Sequence, residues 1–228
     1  MSKEEYIKNS SKSFKHSFKE RSLGNIQVFI KDYLPNSFDL DLVFKELKDK
    51  VPYKFLKYID YIFIGQFQDL IKTKTQAKYL EGAIYVTNEQ DTEQDMTDDL
   101  VHEVAHAVEE EEFLSIYSDG SLESEFLGKR ERLFHLLDTE GLNVDYSEYK
   151  NPEYTRSFDD HLYFEIGYPY LTNISVNLFY SPYAITSLRE YFANGFEAYY
   201  YHRDHQRLST VSPVLFSKIE EINEDKEN

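Results

Sequence analysis

Val101-His102-Glu103-Val104-Ala105-His106-Ala107 is the stretch whose reading decides the fold. Its two histidines are four residues apart, so on a helix of 3.6 residues per turn they stand one above the other on the same face. Two imidazoles placed in this way can reach one tetrahedral metal ion. Glu103 lies between them and can take a proton from a water held there. Zinc suits such a set, because it accepts nitrogen and oxygen ligands and brings water toward a neutral pKa. The bland alternative is a surface helix carrying two solvated histidines. Against it stand Val101, Val104, Ala105 and Ala107, uncharged residues in an acidic neighbourhood, which imply a helix packed into a core.

The rest of the composition limits what surrounds that helix. The 228 residues suffice for one large domain, and 20 Tyr and 17 Phe take packing positions that Leu and Val often fill elsewhere. There is no cysteine, so a Cys-ligated zinc or a disulfide scaffold is excluded, and any zinc must be held by His and carboxylates. A formal net charge of -17 repels phosphate backbones and argues against a nucleic-acid partner, while favouring a neutral or cationic peptide. No run approaches the roughly 20 apolar residues of a membrane span, so no membrane partner is expected. The mixed-charge N-terminus lacks a signal-peptide core, which favours the cytoplasm over non-classical secretion.

Outward from the motif, hydrophobic patterning predicts a small sheet and several helices. Tyr6, Ile7, Phe14 and Phe18 among polar residues predict an amphipathic helix over 3–20, the core of an N-terminal helical extension over 1–22. Leu23-Gly24-Asn25 reads as a turn, and strands are expected over 26–30, 58–64 and 83–87. A helix is expected over 38–50, stopped by Pro52. Residues 88–99 read as an acidic loop, with Thr97 capping a motif helix that runs to about Phe113 and ends in a solvated stretch at 109–112. Helices are also expected over 122–138 and 185–202. Residues 141–160 read as loop, 164–180 show no clean period, and the polar tail from Ser217 reads as frayed.

A catalytic zinc takes three protein ligands and keeps one open position. The best source of the third is the segment 187–199, which is helical, largely apolar, and carries only two carboxylates, Glu190 and Glu197. A carboxylate among aromatics is costly to bury unless a cation meets it. Small Ala193 and Gly195 would let this helix approach the motif helix closely. Ser187-x-x-Glu190 is equally a capping box, in which Glu190 bonds back to the helix start, and on the residues alone ligand and cap are evenly matched. Glu197, His135 and the Asp160–His161 pair are further candidates.

His-Glu-x-x-His followed by Glu190-Tyr191-Phe192-Ala193 resembles the gluzincin metallopeptidases. More specifically, the chain is similar to the catalytic domain of anthrax lethal factor and to the related Pro-Pro endopeptidases. The resemblance runs through the helix at 44–50, the Pro52 break, the strands at 58–64 and 82–86 and the motif helix, and resumes over 183–200. It covers about half the chain and is strong in the two helices. It implies that His102, His106 and Glu190 are zinc ligands and that Glu103 is the general base. Tyr183, seven residues before Glu190, would steady the oxyanion. Asn194 stands where relatives carry an acid that orients a metal-bound histidine. The 83 residues between His106 and Glu190 exceed what the resemblance leads one to expect, so 114–180 reads as an insertion or lid.

The expected architecture is a single α+β, zincin-like domain: a small twisted mixed sheet over the motif helix, with a mostly helical C-terminal half. The expected activity is zinc-dependent hydrolysis of a peptide or protein bound extended along a sheet edge. Three other readings follow from the same residues. One is a zincin-folded structural or interaction protein of phage or mobile-element type with a vestigial metal site; another is a peptidase inactive as isolated, with 114–180 as a lid over its cleft; the third is an acidic binding module without metal.

Overall fold

A computed structural model of the chain describes residues 19–142 and 144–224. The fold is α+β, with twelve α-helices and one five-stranded mixed sheet among the described residues. By their contacts these residues fall into two compact units, divided between Ala107 and Val108.

The first unit holds the sheet. β1 (Lys19–Leu23) and β2 (Ile26–Ile30) form an antiparallel hairpin in which Leu23 pairs with Ile26. Gly24 takes φ 63 at the first loop position, where two-residue hairpins favour glycine. The helical extension expected over 1–22 therefore fails at Lys19–Ser22, which are strand; its remainder lies outside the described residues. Asp39 caps α1 (Leu40–Lys50), its carboxylate accepting from the N–H groups of Asp41 and Leu42 at 3.0 and 3.2 Å. α1 buries Leu40, Val43, Phe44 and Leu47, a helical stripe. Pro52 stops it, and a single turn, α2 (Tyr53–Leu56), follows.

β3 (Tyr61–Ile64) is shorter than the expected strand over 58–64. The N–H groups of Tyr58 and Ile59 donate to Phe55 and Leu56 carbonyls in the turn that closes α2, so these residues are unavailable to the ladder. α3 (Gln68–Thr73) leads to β4 (Ala77–Leu80) and β5 (Ala83–Val86). Positive φ at Glu81 and Gly82 lets β4 and β5 join through two residues. The order is β1-β2-β3-β5-β4, with β2, β3 and β5 parallel and both edge strands antiparallel. One face buries Val28, Ile62, Ile64, Ile84 and Val86; on the other, the rings of Phe29, Phe63 and Tyr85 stack at 5.3 and 4.9 Å.

The motif helix α4 spans Glu93–Glu111. It begins earlier than expected, because Thr92 rather than Thr97 caps it. The Thr92 hydroxyl accepts from Asp95 N at 3.1 Å and donates to the Asp95 carboxylate at 2.8 Å, whereas Thr97 donates to the Glu93 carbonyl inside the helix. Half of the expected acidic loop is thus the first turns of α4. Met96, Leu100, Val101, Val104 and Ala105 are buried, as the uncharged flanks of the motif imply.

The second unit is helical. It takes the last turn of α4, then α5 (Phe113–Tyr117), α6 (Ser121–Thr139), α7 (Tyr146–Lys150) and α8 (Arg156–Asp160). A π-helical turn (His161–Ile166), α9 (Tyr168–Ile174) and a 3-10 turn (Tyr183–Ile185) precede α10 (Leu188–Tyr200), α11 (His205–Val211) and α12 (Pro213–Glu224). Two short helices therefore interrupt the expected loop at 141–160. The tail expected to fray from Ser217 is helix as far as Glu224, with Lys218, Ile219 and Ile222 buried. Gly195 does make a close approach, but to α12: a Cβ there would lie 2.3 Å from Leu215 Cδ2. Arg130 of α6 is 0% exposed, stacks 4.0 Å from the Phe158 ring and donates to the carbonyls of Glu148 and Asn151.

Candidate metal centre

α4 supplies three residues of the site from consecutive turns. Glu103 and His106 are each 6% exposed, while His102 is half-buried. The two imidazoles meet edge to face, with centroids 4.8 Å apart and planes at 83°. Helical periodicity alone produces this pairing, which is why the motif could be read from the sequence.

Glu103 is held by the sheet. Its carboxylate accepts a 2.5 Å hydrogen bond from the backbone N–H of Tyr79 in β4. The antiparallel ladder explains why that N–H is directed away from β5. Gln76 O accepts from Thr87 N, so alternation turns Lys78 and Leu80 toward β5 and turns Ala77 and Tyr79 outward. The general-base candidate is thus anchored to the outer edge of the terminal strand. No sequence signal marks Tyr79, because its role depends on strand order.

Glu190 lies in the first turn of α10. Ser187 caps that helix, its hydroxyl accepting from Glu190 N at 3.1 Å. The carboxylate belongs to a second arrangement: one ligand atom each from His102, His106 and Glu190 lie within 4.8 Å of one another. Among the described residues this is the group able to hold a metal ion; Glu197 is not part of it. The other candidates are engaged elsewhere. His161 Nδ1 meets the Glu165 carboxylate at 2.7 Å, and the His135 ring lies against the Phe134 ring, with centroids 5.3 Å apart.

The donor set suits a divalent ion of borderline softness. Two imidazoles and a carboxylate are one of the three-ligand sets found at catalytic zinc, whose ligands at about 2.0–2.2 Å lie about 3.3–3.6 Å from each other. The side chains here gather within 4.8 Å of one another, roughly 1 Å wider than that spacing. The group is compatible with a metal ion without specifying which one.

Tyr183 occupies the 3-10 turn before α10. Burial pushes its hydroxyl well above the ordinary tyrosine range, and the Glu190 carboxylate adds to that shift, as do Asp159, Tyr154 and Tyr168. The hydroxyls of Tyr154 and Tyr168 both donate to Asp159, at 2.9 and 3.3 Å. Residues of the 114–180 segment therefore share the electrostatic neighbourhood of Tyr183. Asn194 acts within its own surroundings: its amide nitrogen donates to the Glu190 carbonyl at 3.1 Å, and its oxygen accepts from the Ser181 hydroxyl.

Glu109 is the residue that the sequence reading passed over. Expected to be solvated, its side chain is 13% exposed. The Tyr117 hydroxyl donates to it at 2.7 Å and Arg189 Nε lies 3.5 Å from its other oxygen. Burial pushes its carboxyl up, and Tyr117 and Arg189 pull it back. A signal was present in the spacing, because Glu109 follows His106 by three residues and His102 by seven and shares their helical face.

Comparison of the chain with protein-family models, curated proteins and solved structures finds no match in any of the three.

Proposed function

We propose that this protein is a gluzincin-type zinc metalloendopeptidase. One observation carries the reading: a helix-borne His102/His106 pair and the Glu190 carboxylate gather at ligand distance, with Glu103 between the histidines in sequence. Bound to these three side chains, zinc would polarise a scissile carbonyl and acidify water beside it. Glu103 is the base that takes the proton of the attacking water and delivers it to the leaving amine. Its bond to Tyr79 N orients the carboxylate for that task. Tyr183 donates to the developing oxyanion, as a phenol that is protonated at neutral pH can. An extended peptide would pair along the outward-facing edge of β4 through Ala77 and the Tyr79 carbonyl, since the Tyr79 N–H is taken by Glu103.

The test is a peptide-library digest with the parent and Glu103→Gln, each assayed for bound zinc. The variant should keep its zinc and lose turnover by about 100-fold or more. Equal cleavage by both proteins would remove Glu103 from its role. A second reading is a zincin-folded structural or interaction protein with a vestigial site. It draws on Asn194, which stands where relatives carry an acid and spends its amide on Ser181 and a backbone carbonyl. Stoichiometric zinc in a parent protein that cleaves no peptide would favour that reading.

A further inference from the structure

We infer that Glu109 and Arg189 form a positioning clamp that sets Glu190 at ligand distance from the histidines, an inference that rests on the zinc reading above. Glu109 lies on the last turn of α4, three residues beyond His106, and Arg189 directly precedes Glu190. Their 3.5 Å ion pair therefore ties the helix that carries both imidazoles to the first turn of the helix that carries the carboxylate. Within that first turn, Ser187 fixes the backbone of Glu190 and Leu188 N donates to the Pro152 carbonyl at 2.8 Å. These bonds hold the helix start in the second unit. The Glu109–Arg189 pair joins the same turn to the last turn of the motif helix.

Glu109 suits this work better than a surface acid would. Its side chain is only 13% exposed, so its charge is less screened than that of its exposed neighbours Glu110 and Glu111. The Tyr117 hydroxyl occupies one carboxylate oxygen and leaves the other directed at Arg189. Arg189 is 53% exposed, so the pair adds little to global stability. Its effect falls on geometry. Metal sites respond to small displacements of a ligand, and loss of an outer partner typically weakens metal binding by about 10–100-fold. A purely structural Glu109, anchoring α5 through Tyr117, would have no such effect.

The experiment uses the full chain and four variants: Glu109→Gln, Arg189→Met, Arg189→Lys and the double Glu109→Gln/Arg189→Met. Zinc affinity is read by competition with a chromophoric chelator, and site geometry by the visible absorption of the cobalt-loaded protein. Melting of the metal-free forms serves as the folding control. The two charge-removing single variants should each bind zinc about 10-fold more weakly or worse, with an altered cobalt spectrum. The double variant should be no weaker than either single, because both remove the same contact. Arg189→Lys should recover most of the affinity. Zinc affinities and cobalt spectra that match the parent in every variant would overturn the clamp while leaving the zinc reading intact, as would losses that add in the double variant. A parent protein that binds no zinc would overturn both. If Glu109→Gln fails to fold, Arg189→Met, altered at a half-exposed side chain, decides the matter by itself.

Discussion

At Glu190 two explanations that compete in the sequence turn out to use different parts of one residue. The amide N–H serves the Ser187 cap, and the carboxylate lies with the two imidazoles. The parts should therefore separate on mutation. Ser187→Ala removes the cap acceptor and should lower stability to urea by about 1 kcal/mol while zinc content stays at the parent level. Loss of zinc in step with the cap would mean that the carboxylate is positioned by the helix start rather than by its own contacts. At this scale the sequence was informative wherever local helical periodicity fixes geometry. His102, Glu103 and His106 followed from spacing, and Glu190 was narrowed to one of two roles. Glu109 was passed over because a run of four glutamates looks solvated until the partners Tyr117 and Arg189 are known. Tyr79 could not be found, since a backbone amide has no sequence signature.

Among the elements, β2, β5, α1 and α6 were legible because each buries a clear apolar face. β1 was not, because Lys19-Glu20-Arg21-Ser22 has no apolar alternation, and an edge strand protected by charge needs none. α12 was misread for the converse reason: its polar residues hide Ile219 and Ile222, and Lys218 is buried beside them while donating to Asp119 at 2.9 Å. The junction of α11 and α12 shows how such polar residues are used. Glu125 accepts from Val214 N and Leu215 N at the start of α12, and Lys129 donates to Val211 O and Ser212 Oγ at the end of α11, each charge matching its helix dipole. Burial pushes Lys129 down to about 8, against an ordinary value of 10.5, with Glu125 opposing the shift. Between those values the folded protein binds fewer protons than the unfolded chain, so stability should rise with pH through that window. The cost of the buried charge is fully present below about pH 8 and is relieved as the amine deprotonates. Urea midpoints at pH 7.5 and 9.5 should differ less in Lys129→Met than in the parent; an equal difference in the two proteins would show that Lys129 stays charged.

Over the whole molecule, α+β architecture was readable from the sequence, whereas the division into units at 1–107 and 108–228 was not. The apolar pattern runs unbroken through α4, and a boundary inside a helix leaves no linker, glycine or proline to mark it. Among the described residues no helix is long and apolar enough to cross a membrane. The five-stranded sheet exceeds the three strands expected, and the two additional strands are its edges, β1 and β4. β4 is the edge that touches Glu103, so the feature hardest to see in the sequence is the one that connects the sheet to the proposed chemistry. That chemistry depends on a single cation shared by side chains far apart in the chain. Its most direct test is the zinc content of the dialysed protein, compared among the parent, His102→Ala, His106→Ala and Glu190→Gln. We predict one equivalent of zinc in the parent and clear loss in each of the three variants, with folding intact. A parent that retains no zinc, or a Glu190→Gln variant that holds it as tightly as the parent, would contradict the account.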